Sequence, residues 1–176
     1  CNGNVQARSN RYAPAENLGQ VYGEEDRNRV QTDPEYWPLW AHTRVRSVAE
    51  VVPVDYELRG CPMVKEEFLH LVKRLVVGSV PRFEAKPVCV ECKRNGNECV
   101  FEHGETCMGQ ITWGGCNAIC INAGYRCDGC RGALPGANLE AHKALLMEKG
   151  MPEEAIDDRY SLFCSNERLN GGQRHG

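Results

Sequence analysis

The stretch that decides the fold is CVECKRNGNECVFEHGETCMGQITWGGCNAICINAGYRCDGC, residues 89–130. It holds eight of the 11 cysteines of the chain, with a Cys-x-x-Cys pair at each end and four single cysteines between them. Glycines interrupt it so often that no long helical or strand pattern fits inside. Because such a stretch can bury little apolar area, we expect metal bound by its thiolates to organise it.

Three states could explain this density of cysteine. A disulfide scaffold suits small secreted chains with an even cysteine count, whereas the total here is odd and no export signal is visible. Structural zinc takes four thiolates, usually from two short-spaced couples. Iron–sulfur clusters also take four thiolates each. The choice between the two metals therefore depends on the spacing of the cysteines.

Consecutive grouping of the cysteines gives two sets of four. We call them the first quartet (Cys89, Cys92, Cys99 and Cys107) and the second quartet (Cys116, Cys120, Cys127 and Cys130). Each set has one Cys-x-x-Cys couple and two more widely spread members. A cluster several ångströms wide accepts that spread more easily than one small ion, so the spacing favours iron–sulfur clusters, with zinc as the alternative. Small residues near the ligands, among them Gly109 and Gly129, would let backbone N–H groups approach the sulfur atoms.

Composition, charge and the absence of known motifs argue against several classes of function. The 176 residues carry a net charge of −3 with both signs mixed, which argues against a nucleic-acid or anionic-membrane surface. No apolar run is long enough to span a bilayer. The chain lacks a dinucleotide fingerprint, a phosphate-binding loop and a His-Glu-x-x-His motif. Two clusters without other catalytic groups indicate electron transfer rather than substrate chemistry.

The segment before the cysteine-rich stretch has a regular pattern. Residues 51–58 alternate between apolar and acidic side chains, which predicts a strand that Pro53 confines to an edge or a strand start. A turn at Gly60-Cys61-Pro62 follows, with Pro62 suited to the first position of a helix over residues 63–77. Cys61 is thereby predicted between a strand end and a helix N-terminus, where backbone N–H groups favour negative charge such as that of a cluster. Its position is equally consistent with a buried free cysteine beside the turn.

The segment after the stretch predicts two helices. Asn138 can cap the first, Gly150 can end it, and Pro152 begins the second. His70 is expected at the surface or in packing, and Trp113 in packing. His103 lies between two candidate ligands and could replace one, whereas Cys164 is expected to be a free thiol.

Two groups of residues resemble a known family. The run Val54–Pro62, with its Gly60-Cys61-Pro62 turn, is similar to the Gly-Cys-Pro-Pro turn of nickel–iron hydrogenase small subunits. The eight cysteines from Cys89 to Cys130, with Met108-Gly109-Gln110 and Arg131-Gly132 beside them, resemble the small (delta) subunit of cytosolic multi-subunit hydrogenases. That group includes the sulfhydrogenases and the viologen-reducing hydrogenases. The resemblance covers about residues 50–135.

The resemblance implies three 4Fe-4S clusters in a row. The second quartet would hold the medial cluster and the first quartet the distal one. Cys61 matches the last ligand of the proximal cluster, and Cys1 stands where the family has the third. The family begins with a flavodoxin-like half that carries a further Cys-x-x-Cys pair, and nothing here corresponds to it. We therefore expect that half to come from a longer chain or from another polypeptide.

The resemblance predicts an α+β chain with three parts. Residues 1–80 would be a remnant of a flavodoxin-like α/β domain, residues 81–136 an irregular two-cluster iron–sulfur domain, and residues 137–176 a short helical tail. The implied function is the electron-relay subunit of a cytoplasmic nickel–iron hydrogenase, without a catalytic centre of its own. Its partners would be the nickel–iron large subunit and a flavin- or iron–sulfur-containing subunit. The alternatives are a zinc-ribbon interaction module and a relay in a hydrogenase-like complex without hydrogen activity.

Overall fold

A computed structural model describes residue 48 and residues 51–162 of the chain. In this part the regular elements are helices joined by irregular loops. They are α1 (Lys65–Val76), α2 (Val88–Arg94), α3 (Ile119–Asn122), α4 (Leu139–Glu148) and α5 (Glu153–Ser161), with a 3₁₀ helix at Val100–His103.

Helix α1 confirms the helical spacing read from the sequence. Glu66 and Glu67 lie in its first turn, and Lys73 and Arg74 lie in its last, as the helix dipole favours. Gly78, with φ of 69°, follows the helix end. The placement of Pro62 at the first helical position was wrong, because Val64 is the N-cap residue and the helix begins at Lys65.

The strand expected over residues 51–58 was also wrong. These residues form a turn and extended loop, and no strand occurs among the residues that the structure describes. A strand needs a neighbour to satisfy its backbone N–H and C=O groups, and alternation of side chains cannot supply one. The isolated bridges here are Gly60–Met63, Pro87–Trp113 and Thr112–Ala133. The flavodoxin-like remnant and the three-part division remain predictions.

The cysteine-rich stretch is held by hydrogen bonds between distant loops. The N–H of Val88 donates to the carbonyl of Thr112 at 3.0 Å, and that of Leu134 donates to Ile111 at 2.7 Å. Thr112 also donates its hydroxyl to the carbonyl of Met108 at 2.7 Å. The loops that carry the two quartets therefore form one connected unit.

Helices α4 and α5 pack beside this unit. The Asn138 side chain caps α4 by accepting from the N–H of Ala141 at 2.9 Å, as the sequence predicted. Gly150, with φ of 84°, follows the end of α4, and Pro152 precedes α5. Leu146 and Ile156 are fully buried and join a core with members of both quartets. Within the described residues, no helix is long and apolar enough to cross a membrane.

Candidate metal centre

The nine cysteines in the described part of the chain are all free thiols. They are Cys61 and the eight members of the two quartets. The disulfide alternative is therefore wrong for these nine. Cys1 and Cys164 lie outside the described residues, so their predicted roles stay predictions.

Helix α2 and the loop after it carry the first quartet. Cys89 and Cys92 lie three residues apart on α2, and Cys99 is the N-cap residue of the 3₁₀ helix. The pKa of Cys89 is raised to about 11, first by burial and then by three neighbouring thiols, those of Cys107, Cys92 and Cys99. The four sulfur atoms thus lie close enough to oppose one another's ionisation.

Backbone N–H groups approach the sulfur of Cys107, as the small residues beside it predicted. The N–H of Gly109 lies 3.4 Å from Cys107 Sγ. A Cβ at position 109 would lie 3.4 Å from the sulfur of Cys107 and 3.5 Å from that of Cys89. Burial raises the pKa of Cys107, whereas the N–H groups of Gly109 and Cys127 lower it. Position 109 therefore lies in van der Waals contact range of two sulfur atoms, and its N–H stabilises thiolate at one of them.

The second quartet lines a cavity. All four of its cysteines border a space of about 790 Å³, and Cys61 and Pro62 border the same space. Burial raises the pKa of Cys127, and the neighbouring Cys107, Cys130 and Cys116 raise it further. The grouping by order along the chain is thus also a grouping in space.

The two quartets and Cys61 form a row of contacts. Cys107 of the first quartet is among the groups that raise the pKa of Cys120 and Cys127 in the second. At the other side of the second quartet, the N–H of Cys61 hydrogen bonds to Cys130 and lowers the pKa that burial has raised. The structure therefore places the second quartet between the first quartet and Cys61.

The donor chemistry of the quartets fits a metal cluster. Seven of the eight thiols are buried or half-buried, and Cys120 is exposed. Desolvation raises the pKa of five of the eight, and a bound cation would offset the cost of ionising them; the five are Cys89, Cys107, Cys120, Cys127 and Cys130. N–H groups aimed at sulfur are the contacts that stabilise bound thiolate. Among the described residues, no group of three or more His, Cys, Asp or Glu side chains is already arranged to hold a metal ion.

Sequence reasoning missed a buried carboxylate between the quartets. Glu91, inside the first Cys-x-x-Cys couple, is 7% exposed, and its Oε1 accepts from the N–H of Gly115 at 2.6 Å. Lys86 Nζ lies 3.8 Å from the same oxygen. The contact joins α2 to the turn just before Cys116. An acidic residue inside a Cys-x-x-Cys couple was the available signal.

A cluster of side-chain amides makes a second contact between the end of α2 and the segment that leads into α3. Asn95, at the end of α2, donates to the carbonyl of Asn117 at 2.9 Å. Asn97 donates to Asn122 Oδ1 at 2.7 Å, and Asn122 donates to the carbonyl of Asn117 at 2.8 Å. Asn117 and Ala118 both have a positive φ, at 55° and 51°. The amides therefore help to hold the unusual backbone that leads into α3.

The other residues singled out from the sequence lie away from the sulfur atoms. His103 is exposed and pairs with Glu98 at 2.9 Å. His70 is exposed and makes an edge contact with Phe83. The guanidinium carbon of Arg59 lies over the ring of Trp113, 4.6 Å from the ring centre. The surface or packing role predicted for His70 and the packing role predicted for Trp113 match these positions. The ring of His103, which could have replaced a ligand, contacts Glu98 instead.

His142 on α4 contacts the backbone of the first quartet. It is 2% exposed, and its Nε2 lies 2.9 Å from the carbonyl oxygen of Cys107. That nitrogen must donate, so Nδ1 accepts from the hydroxyl of Tyr160 at 2.7 Å. Burial lowers the pKa of His142, which agrees with a neutral ring. Burial also raises the pKa of Tyr160 to about 12, which keeps its hydroxyl protonated as the donor.

We expect His142→Ala to destabilise the fold by about 3 kcal/mol, because it leaves a cavity and two buried polar groups without their partner. The matched control is His103→Ala on the exposed 3₁₀ helix, where we expect a change below about 0.5 kcal/mol. Anaerobic denaturant unfolding of both variants measures the difference. Equal stability of the two variants would show that the His142 contacts contribute nothing.

Comparison with known proteins identifies relatives of the chain. It is 38% identical over 120 residues to the delta subunit of sulfhydrogenase 2 of Pyrococcus furiosus. This alignment covers 68% of the present chain and 50% of the relative. It is 30% identical over 184 aligned residues to the vhu G subunit of the F420-non-reducing hydrogenase of Methanocaldococcus jannaschii, in an alignment that covers 92% of this chain and 63% of the relative. The iron-sulfur subunit of the F420-non-reducing hydrogenase of Archaeoglobus profundus is 29% identical over 120 residues, 52% of this chain and 37% of that protein.

No protein-family model matches the chain. The chain spans about half to two thirds of the length of the first two relatives, so it corresponds to part of their sequence. The matches nevertheless confirm the resemblance stated from the cysteine pattern. The chain belongs to the family of hydrogenase subunits that includes the sulfhydrogenase delta subunit and the F420-non-reducing hydrogenase G subunits.

Proposed function

We propose that the chain is the electron-relay part of a nickel–iron hydrogenase and that each quartet holds one 4Fe-4S cluster. The observation that carries the proposal is the juxtaposition of two free-thiol quartets in one connected unit. The name of the Archaeoglobus relative, an iron-sulfur subunit, supports iron over zinc. When bound, such clusters supply one-electron steps between partners.

The residues of the chain have three roles in this function. The quartets provide the thiolate ligands. Burial of Cys92, Cys107 and Cys127 excludes water from the sulfur atoms, and the N–H groups of Gly109 and Cys61 stabilise negative charge on them. Both effects act on the reduction potential of a bound cluster.

The spatial order of the first quartet, the second quartet and Cys61 supports a relay in which the clusters follow one another in a row. Because Cys107 is close to members of the second quartet, the two clusters would be near neighbours. Cys61 lies on the far side, where it borders the cavity of the second quartet. We propose that Cys61 is one ligand of a third, proximal cluster, with Cys1 as another and the remaining ligands outside this chain.

The proposed partners follow from that order. A nickel–iron large subunit would lie at the Cys61 side, and a flavin- or iron–sulfur-containing subunit would lie at the first-quartet side. Electrons taken from hydrogen by the large subunit would then pass through the second quartet before the first. We propose a cytoplasmic location for this complex.

Metal analysis of the anaerobically purified complex tests the proposal. We expect about eight iron atoms from the two quartets of this chain, together with a brown visible absorbance that bleaches on reduction. A colourless chain with about two zinc ions, whose folding a zinc chelator reverses, would establish the zinc-ribbon alternative instead. Nickel in the large partner separates a hydrogenase from a related complex without hydrogen activity.

A further inference from the structure

A buried arginine joins the segments that carry Cys61, the second quartet and α1. Arg131 directly follows Cys130 and is 4% exposed. Its Nε donates to the carbonyl of Gly114 at 2.9 Å, and its Nη1 donates to the carbonyl of Arg59 at 2.8 Å. Gly114 lies two residues before Cys116, and Arg59 lies two residues before Cys61. One guanidinium therefore fixes three cysteine-bearing segments.

The third contact of Arg131 is an ion pair with Glu67 in the first turn of α1. Nη2 donates to Glu67 Oε1 at 2.6 Å, and the two side chains are 4% and 16% exposed. A short, shielded pair of this kind is screened far less by salt than a surface pair. Salt therefore weakens the effect of these charges on neighbouring groups only slightly, although each charge offsets part of the other.

Glycines make room for the ion pair. Gly115 has φ of 114°, and a Cβ there would collide with Glu67 and with the guanidinium of Arg131. Gly60 has φ of 120°, and a Cβ there would collide with the carbonyl oxygen of Pro62 and lie 3.3 Å from Arg131 Nη1. The Gly115-Cys116 turn is thus shaped around the ion pair, and the Gly60-Cys61 turn lies beside the same arginine.

Arg131 lies beside the second quartet. It directly follows Cys130 along the chain. The cavity lined by the quartet also includes Arg131 in its wall. A cation at this position stabilises added negative charge in the cavity, and Glu67 offsets part of that effect.

We propose that Arg131 is a positioning residue for the second quartet and that the Arg131–Glu67 pair sets the reduction potential of the cluster held there. The inference rests on the proposed function and adds the residues that tune one cluster of the relay. The reduced cluster carries one more negative charge than the oxidised cluster. The uncompensated cation therefore raises the potential, and the uncompensated carboxylate lowers it.

Two charge-removing variants test the electrostatic part. In Glu67→Gln the arginine keeps its bonds to Gly114 and Arg59 but loses its counter-charge, so we expect a higher midpoint potential for the second-quartet cluster. In Arg131→Gln the carboxylate remains alone, so we expect a lower one. Arg131→Lys retains the charge and should leave the potential close to wild type. Redox titration of the anaerobic complex, followed by electron paramagnetic resonance, gives all three values.

Arg126→Gln is the matched control. Arg126 directly precedes Cys127, as Arg131 directly follows Cys130, but its side chain is 44% exposed and pairs with the exposed Glu105 and Asp128. Solvent screens this charge, so we expect the potential of the cluster to stay close to wild type in the control.

The sign of the shifts decides the outcome. Shifts of opposite sign in Glu67→Gln and Arg131→Gln support the inference, whereas shifts of the same sign or none overturn it. If Arg131→Gln fails to assemble, Glu67→Gln decides alone, because an unchanged or lower potential contradicts the proposal. Wild-type protein without iron would instead refute the proposed function itself.

Discussion

The Cys127→Ala variant is expected to lose about half of the iron bound by this chain, about four atoms, and to stop electron transfer through it. Cys127 is 8% exposed and lies among the thiols of its own quartet and next to Cys107. No water or surface group can replace a thiolate at a buried position as an equivalent ligand. Iron content and electron paramagnetic resonance of the anaerobic complex measure the loss, and hydrogen-dependent reduction of the partner subunit measures the relay.

Two matched variants serve as comparisons for this result. Cys92→Ala removes an equally buried thiol from the first quartet, at 7% exposure, and should remove the other cluster signal. Cys164→Ala removes a cysteine that the sequence assigns to neither quartet, and should leave both signals unchanged. If Cys127→Ala and Cys92→Ala remove the same signal, the two quartets do not hold separate clusters.

The Leu146→Ala variant is expected to lower the free energy of unfolding by about 3 kcal/mol, within the range for fully buried leucines. Leu146 on α4 has no exposed surface and packs in the core that also contains Cys92, Cys107 and Cys127. Truncation removes buried apolar area and leaves a cavity beside Ile156 and the cysteine loops. Because α4 also carries His142, loosening it should speed the loss of iron to a chelator.

The neighbouring residue Met147 supplies the control, since it lies on the same helix but is 51% exposed. Met147→Ala should change the stability by less than about 0.5 kcal/mol. Anaerobic denaturant unfolding and the rate of chelator bleaching compare the two variants. Equal values for both would mean that α4 does not support the cysteine loops.

Local signals in the sequence predicted α1, α4 and α5, but not the short helices α2 and α3 of the cysteine-rich stretch. The spacing of apolar residues in α1, the Asn138 cap of α4 and the stop at Gly150 are each set by neighbours a few residues away. The expected strand at residues 51–58 failed for the opposite reason. A strand forms only with a partner that supplies its hydrogen bonds, and none lies within the described residues.

The composition of the candidate site was also readable from the sequence. Spacing alone grouped the eight cysteines into the two quartets, and the thiols of each group are close in the structure. A thiolate ligand is defined by its residue type, and a tight turn fixes the distance within a Cys-x-x-Cys couple. The charged groups around the quartets were missed. Arginine and glutamate are common surface residues, and nothing in their local sequence reveals a partner 64 positions away.

The sequence by itself determined the thiols, their division into quartets and the family, because residue identity and short spacing carry that information. The family resemblance also predicted the second quartet between the first quartet and Cys61. Only the tertiary structure decided that Glu67, Glu91, Arg131 and His142 surround the cysteines. These contacts join residues far apart along the chain. They arise when burial brings distant loops together and unpaired charges and polar groups inside must find partners.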